Sequence, residues 1–211
     1  MSGDPEYTLH YFNGYGRAEP IRIMLNHAGI PFTDNRIEQA DWPPLKATMA
    51  GGSMPNIETR DGHKRGAARA LVRFLAQKHG YYPDDPIRAY ENDMLVDGYY
   101  DIFNELWAIP LKPAAEQPDL MKKCFGESLP KFMRIIDPYC ARGQFLVGST
   151  LAPCDFWIGN LYVSGLANPG FFAGADQCQA LLKQFPNFHK YGERFKAANK
   201  KYLDSRVPSP F

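Results

Sequence analysis

The segment from Tyr7 to Pro20 constrains the fold more than any other part of this sequence. Residues Tyr7–Phe12 are rich in aromatic and β-branched side chains in an alternating pattern, which is typical of a strand. Asn13–Gly16 contains two glycines, which take positive φ freely and favour a turn. Apolar residues then recur at helical spacing over Arg17–Ala28. The segment therefore predicts a strand, a glycine turn and a helix, with Tyr11 at the mouth of the helix N-terminus.

Tyr11 and Arg17 are the candidate functional residues of this turn. A phenol beside a helix N-terminus can donate a hydrogen bond to an anion, and the alternative is a buried strand tyrosine that packs in the core. Arg17 lies near the helix start, where a guanidinium either braces Tyr11, contacts a ligand or simply faces solvent. The turn contains no cysteine, which argues against thiol–disulfide exchange.

The first part of the chain alternates strand and helix signals. A second strand is predicted at Phe32–Ile37, followed by a hairpin that pairs Asn56–Thr59 with His63–Arg65 around Asp61-Gly62. Ala67–His79 follows as a helix with one apolar face. This βαβ–ββα order is the thioredoxin-like plan.

A breaker-rich linker, Gly80–Pro86, separates this part from a region without strand signals. We predict helices there at about Ile87–Ile109, Pro118–Ala141, Pro153–Asn168, Gln177–Phe185 and Pro186–Asn199. The expected fold class is thus α/β plus all-α: a thioredoxin-like domain at residues 1–83 and an all-helical domain at residues 84–211.

The composition of the chain argues against several classes of function. The chain has 211 residues, a hydrophobic fraction of 45% and a formal net charge of +1, which argues against a nucleic-acid partner. No apolar run approaches the roughly 18 residues of a membrane span, and the start lacks the features of a secretion signal, so we expect a cytoplasmic protein. The four cysteines and five histidines show no metal-ligand spacing, so we expect no metal.

The sequence from Tyr11 to Glu19, Tyr-Phe-Asn-Gly-Tyr-Gly-Arg-Ala-Glu, resembles the segment that opens sigma-class glutathione transferases. The similarity continues in register through Arg36–Pro43, through Met54-Pro55 and through Asp155-Phe156, so it covers nearly the whole chain. The resemblance implies the glutathione transferase fold, paired as a two-fold homodimer. It also implies glutathione as substrate, used to conjugate or reduce an apolar co-substrate that is electrophilic or a lipid-like peroxide.

The resemblance also implies roles for individual residues. Tyr11, with Arg17, would favour the thiolate of glutathione, which is the nucleophile. The residues that would bind glutathione are Trp42, Lys46, Ser53, Met54, Pro55, Ala67, Ala68 and Asp101.

Three of these assignments carry specific chemistry. Trp42 and Lys46 match positions that hold the glycine carboxylate, and the alternative is a loop anchor with a solvated lysine. A cis bond before Pro55 would leave the backbone of Met54 free to pair with the cysteinyl part of glutathione. Asp101 would reach the glutathione amine across a dimer interface, or belongs to a solvated acidic face.

Ala67-Ala68 is the place where the sequence departs from the family. A Gln-Ser pair normally binds the γ-glutamyl carboxylate there, and two such side-chain partners are each worth about 1.5–3 kcal/mol. Losing both would weaken glutathione binding roughly a hundredfold or more. Two hypotheses follow: an active transferase, or a catalytically weakened structural or interaction subunit of the same fold.

Two further features lie in the second half. Tyr99, Tyr100, Phe103 and Trp107 form an aromatic stripe that is either core or partly the wall of a co-substrate pocket. Asp155 is expected to cap a helix beginning at Pro153, with half of the capping box missing because Ala152 replaces the family's Ser/Thr.

Overall fold

The structure is a computed structural model that describes residues 4–209. The chain divides into two compact units. Unit 1 comprises the residues up to Gly80 together with Asn199–Ser209, and unit 2 comprises Tyr81–Ala198. The sequence analysis assigned all of residues 84–211 to the second domain, whereas residues 199–209 pack with unit 1.

Unit 1 contains a four-stranded mixed sheet in the order β2-β1-β3-β4. The strands are β1 (Tyr7–Phe12), β2 (Phe32–Ile37), β3 (Asn56–Thr59) and β4 (Lys64–Arg65). β1 runs parallel to β2 and antiparallel to β3, which is antiparallel to β4. The first three strands have the predicted bounds.

The described residues form helices that agree with the predicted α/β plus all-α class. They are α1 (Glu19–His27), α2 (Trp42–Leu45), α3 (Ala68–Lys78), α4 (Pro86–Ala108), α5 (Gln117–Lys123), α6 (Leu129–Arg142), α7 (Pro153–Asn160), α8 (Ala175–Gln184), α9 (Pro186–Ala198) and α10 (Lys200–Leu203). Unit 1 therefore has the predicted thioredoxin-like βαβ–ββα order.

Unit 2 is all-helical. The helix predicted at Pro118–Ala141 is α5 and α6 joined by a π-helical turn at Cys124–Ser128. A second π-helical turn, Leu161–Leu166, continues α7. Such turns insert an extra residue without ending the helix, so periodicity alone does not reveal them.

Two glycines let the helices of unit 2 approach closely. A Cβ atom on Gly159 of α7 would lie 2.5 Å from the ring of Phe195, and one on Gly192 of α9 would lie 2.3 Å from Tyr162. Real Cβ atoms do not approach other atoms so closely, so both positions require glycine. The aromatic core of unit 2 packs into the space that these glycines leave.

Asp155 caps α7 as the sequence indicates. Its carboxylate accepts hydrogen bonds from the backbone N–H of Ala152 at 2.8 Å and from that of Leu146 at 3.0 Å. Ala152 has no side-chain oxygen that could accept a hydrogen bond from the backbone N–H of Asp155, so half of the capping box is missing. Complete burial raises the pKa of Asp155 to about 7, against the hydrogen bonds that favour its charged form.

No helix among residues 4–209 is long and apolar enough to cross a membrane.

Candidate active site

The hydroxyl of Tyr11 lies at the turn between β1 and α1. Tyr11 pairs with Arg36 across the parallel β1–β2 ladder and is partly buried. Its Oη accepts a hydrogen bond of 3.1 Å from the backbone N–H of Arg17. The structure thus brings Tyr11 and Arg17 together, and the side chain of Arg17 is exposed.

Gly16 is required for this approach. Its φ is +43°, and an added Cβ would lie 2.5 Å from Tyr11 Oη and 3.0 Å from the ring. A side chain at this position would displace the phenol. The glycine turn predicted from sequence therefore serves two purposes: it reverses the chain, and it admits the Tyr11 ring against the backbone.

The pKa of Tyr11 is raised, chiefly because burial disfavours the phenolate. The hydrogen bond from Arg17 and the positive charges of Arg17 and Arg22 act in the opposite direction. The phenol is therefore protonated at neutral pH and is able to donate a hydrogen bond.

A buried ionic network lies beneath the turn. The Arg22 side chain is buried, and its Nε donates to both Asp34 oxygens at 3.0 and 3.1 Å. Its Nη1 donates to the carbonyl oxygen of Gly14 at 2.7 Å and to Glu19 at 3.3 Å. The Arg22 guanidinium also lies 5.9 Å from the centre of the Tyr11 ring. The network fixes the turn, because Arg22 joins the Gly14 carbonyl oxygen to Glu19 on α1 and to Asp34 on β2.

This network is not among the features predicted from the sequence. Glu19 and Arg22 are spaced i,i+3 within a helix whose other residues over Glu19–Leu25 are also buried. Charged residues in a helix that is apolar on every other side must be paired. That pattern could have identified the pair, although not its partner Asp34 on β2.

The segment from Trp42 to Pro55 carries most of the other predicted site residues. Trp42 is half-buried, with its ring edge-on to Phe12 at a centroid distance of 5.9 Å. Lys46 is exposed, and its side chain passes close to Gly52. Ser53 is exposed and Met54 is half-buried.

The peptide bond between Met54 and Pro55 is cis, as predicted. Asn56, which the sequence analysis did not single out, holds the preceding loop. Its Oδ1 accepts from the backbone N–H of Ala50 at 2.8 Å, and its Nδ2 donates to the carbonyl oxygen of Ser53 at 2.6 Å. Asn56 is fully buried, so it acts as a positioning residue for the loop.

The start of α3 presents backbone instead of polar side chains. Ala67 precedes the helix with φ +65° and ψ +98°, and no side chain caps the helix. It is the one non-glycine residue with positive φ among residues 4–209. Ala68 begins the helix and is buried. Such a backbone conformation costs about 1–3 kcal/mol for a residue with a Cβ atom.

Asp101 lies on α4 in unit 2, where it is exposed. On the same helix Tyr99 and Phe103 are buried, whereas Tyr100 and Trp107 are half-buried. The stripe is therefore partly core and partly accessible.

No group of three or more His, Cys, Asp or Glu side chains within residues 4–209 is arranged to hold a metal ion.

Comparison with known proteins identifies the family. Residues 100–206 match the model of the glutathione S-transferase C-terminal domain. The chain is 33% identical over 220 aligned positions to the glutathione S-transferase class-mu 28 kDa isozyme of Schistosoma japonicum, covering 96% of this chain and 99% of the relative. This chain belongs to the glutathione S-transferase family.

Two further similarities are informative. S-crystallin SL11 of Nototodarus sloanii is 28% identical over 186 residues, covering 86% of each chain. The crystal structure of a nematode-specific GST of C. elegans has a TM-score of 0.84 at 28% identity, covering 98% of this chain and 99% of that one. The observed fold is thus the glutathione transferase fold.

Proposed function

We propose that this chain is a sigma-class-like glutathione transferase in which Tyr11 activates the sulfur of glutathione. The observation that carries the proposal is the position of the Tyr11 hydroxyl, which is fixed at the β1–α1 turn by the Arg17 N–H and by the bare backbone of Gly16. Family membership supplies glutathione as the substrate.

The hydrogen bonding of Tyr11 suits this role. Its oxygen accepts from Arg17, and no acceptor among residues 4–209 takes its proton. Accepting one hydrogen bond makes a hydroxyl a better donor of another. A sulfur atom placed at this hydroxyl would therefore be stabilised as thiolate. The thiolate then attacks an electrophilic carbon, a C–S bond forms, and the leaving group departs with its electron pair.

The rest of glutathione would lie along unit 1. We assign its glycine carboxylate to Trp42 and Lys46, and its cysteinyl backbone to Met54 before cis-Pro55, with Ser53 beside it. The γ-glutamyl carboxylate would meet only backbone N–H groups at Ala67-Ala68 and the start of α3. This end of glutathione is held less firmly than the sulfur.

The remaining assignments concern the co-substrate and the assembly. We assign the apolar electrophile to the accessible part of the aromatic stripe on α4, and we propose a two-fold homodimer to which Asp101 contributes a contact with glutathione. The proposed setting is detoxification in the cytoplasm.

A second candidate function is a structural or interaction subunit with weakened catalysis. Two observations favour it: the absence of polar side chains at Ala67-Ala68, and the similarity to a protein named as a crystallin. This candidate predicts a folded protein that does not retain glutathione.

One experiment separates the two candidates. The protein is passed over immobilised glutathione, and its turnover with glutathione and an electrophilic aryl halide is measured. The transferase predicts retention, elution by free glutathione, and turnover that is lost in Tyr11→Phe. Tyr7→Phe is the matched control, because Tyr7 lies on the same strand and its hydroxyl forms a hydrogen bond of 2.9 Å with Nε2 of His79. A folded protein that is neither retained nor active contradicts the transferase assignment.

A further inference from the structure

The segment Asn199–Ser209 belongs to unit 1 and contacts α1, the helix that follows the β1–α1 turn. Tyr202 Oη donates a hydrogen bond of 3.1 Å to Oε1 of Glu19, and Arg206 Nη1 donates to the same oxygen at 2.7 Å. We call Tyr202, Arg206 and Glu19 the Glu19 clasp. It joins residues that are more than 180 positions apart in the sequence.

The Glu19 carboxylate depends on these donors. Its side chain has no exposed surface, and a third donor, Arg22 Nη1, lies 3.3 Å from Oε2. A buried carboxylate is stable only when hydrogen-bond donors or cations surround it. Burial and the Glu19 charge raise the pKa of Tyr202, so the tyrosine keeps the proton that it donates.

The clasp reaches the Tyr11 hydroxyl through a short stretch of chain. The Arg206 guanidinium lies 4.1 Å from the centre of the Tyr15 ring, and the Glu19 N–H donates to the Tyr15 carbonyl oxygen at 3.0 Å. Between them lie Gly16, whose lack of a side chain leaves room for the Tyr11 ring, and Arg17, whose N–H donates to the Tyr11 oxygen. Residues 15–19 are therefore fixed by Tyr11 on one side and by the clasp on the other.

We propose that Tyr202 and Arg206 are positioning residues for catalysis, which hold residues 15–19 through Glu19 and thereby fix the direction of the Tyr11 hydroxyl. This inference rests on the proposed function, and it assigns to residues far along the chain a part in activating the sulfur. Small errors in the placement of a catalytic group lower the rate strongly. The clasp should therefore affect thiolate formation and kcat more than the KM for glutathione.

The test compares Arg206→Ala, Arg206→Lys and Tyr202→Phe with the wild-type protein. We expect Arg206→Ala to lower kcat about tenfold, with a smaller change in KM, because the turn loses its fixed geometry. The pH at which bound glutathione becomes thiolate, measured by ultraviolet absorbance, should rise. Arg206→Lys should recover part of the loss, since a lysine restores a charge beside Glu19. Tyr202→Phe should give a smaller shift in the same direction.

Arg60→Ala is the matched control. Arg60 also joins separate segments of unit 1, since its Nε donates to the Pro5 carbonyl oxygen at 3.1 Å, and none of its hydrogen bonds within residues 4–209 reaches the β1–α1 turn. The control should leave kcat and the thiolate pH unchanged. An equal loss in Arg60→Ala, or unchanged values in both Arg206→Ala and Tyr202→Phe, overturns the proposal.

Hydrogen–deuterium exchange separates this inference from the proposed function. Amides of residues 15–19 should exchange faster in Arg206→Ala than in the wild type, whether or not glutathione is bound. If the wild-type protein lacks transferase activity but residues 15–19 exchange faster in Arg206→Ala than in the wild type, the clasp is supported and the transferase is refuted. Normal wild-type activity with unchanged exchange and kinetics in the variants would refute the clasp alone.

Discussion

The β1–α1 turn and the start of α3 are the regions that we assign to opposite ends of glutathione, and they are built very differently. At the turn, the Tyr11 hydroxyl is fixed by a backbone donor, a required glycine and a buried ionic network. At α3, Ala67 and Ala68 offer only backbone groups, in a conformation that is costly for alanine. The comparison teaches that the two regions are held by different means: side chains and a required glycine surround the Tyr11 hydroxyl, whereas no side chain caps the start of α3.

The largest expected effect tests how firmly the turn is built. Arg22→Ala removes the cation shared by Asp34 and Glu19 and should lower the free energy of unfolding by about 3–5 kcal/mol. Urea denaturation measures this change. At the start of α3, Arg69→Ala changes an exposed side chain and should cost less than about 1 kcal/mol. Similar losses in both variants would remove the contrast between the two regions.

The second prediction concerns the chemistry of the turn. Tyr11→Phe should lower kcat/KM by about a hundredfold or more, because the thiolate loses its hydrogen-bond donor. Binding of glutathione, followed by calorimetry, should change far less than the rate. If the rate falls no more than in Tyr7→Phe, the phenol is not the activating group.

The third prediction adds to α3 the Gln-Ser pair that the resemblance to sigma-class enzymes implies for these positions. Ala67→Gln combined with Ala68→Ser should tighten glutathione binding by roughly a hundredfold, since two polar partners of a charged carboxylate are gained. Titration calorimetry gives the dissociation constant, and each single substitution serves as a control for the pair. An unchanged constant would show that the weakness of this end has another cause.

The fourth prediction is a pH dependence that separates the two regions. Burial raises the pKa of Tyr11, so the phenol stays protonated and donating as pH rises through neutrality. Activity should therefore increase with pH as the glutathione thiol ionises, and Tyr11→Phe should move that increase toward the ordinary thiol pKa of about 8.5. The Ala67-Ala68 double substitution should leave the midpoint in place. If the midpoint of the pH dependence shifts in the Ala67-Ala68 double variant but not in Tyr11→Phe, the assignment of sulfur activation to Tyr11 is contradicted.

The smallest expected effect concerns the backbone at α3. Ala67→Gly removes the Cβ atom at φ +65° and should raise the free energy of unfolding by about 1 kcal/mol or less. Thermal denaturation shows this as a small increase in Tm. A loss of stability would mean that the Ala67 conformation carries no strain.

The sequence by itself determined the elements of both regions. Alternating side chains and breakers gave the bounds of β1–β3, and the Tyr11–Glu19 motif indicated the family and the candidate tyrosine. The same motif comparison located the departure at Ala67-Ala68. These features are local, because the periodicity of side chains and the conformational preferences of glycine and proline act over a few residues.

Only the tertiary structure decided how these elements are held. The pairing of Arg22 with Asp34, the anchoring of the loop by Asn56 and the return of Arg206 to Glu19 join residues from separate elements. The positive φ of Ala67 likewise follows no local rule, since alanine avoids it. Burial creates these features: a polar group removed from water must find a partner wherever the folded chain supplies one, and that choice is not written in neighbouring residues.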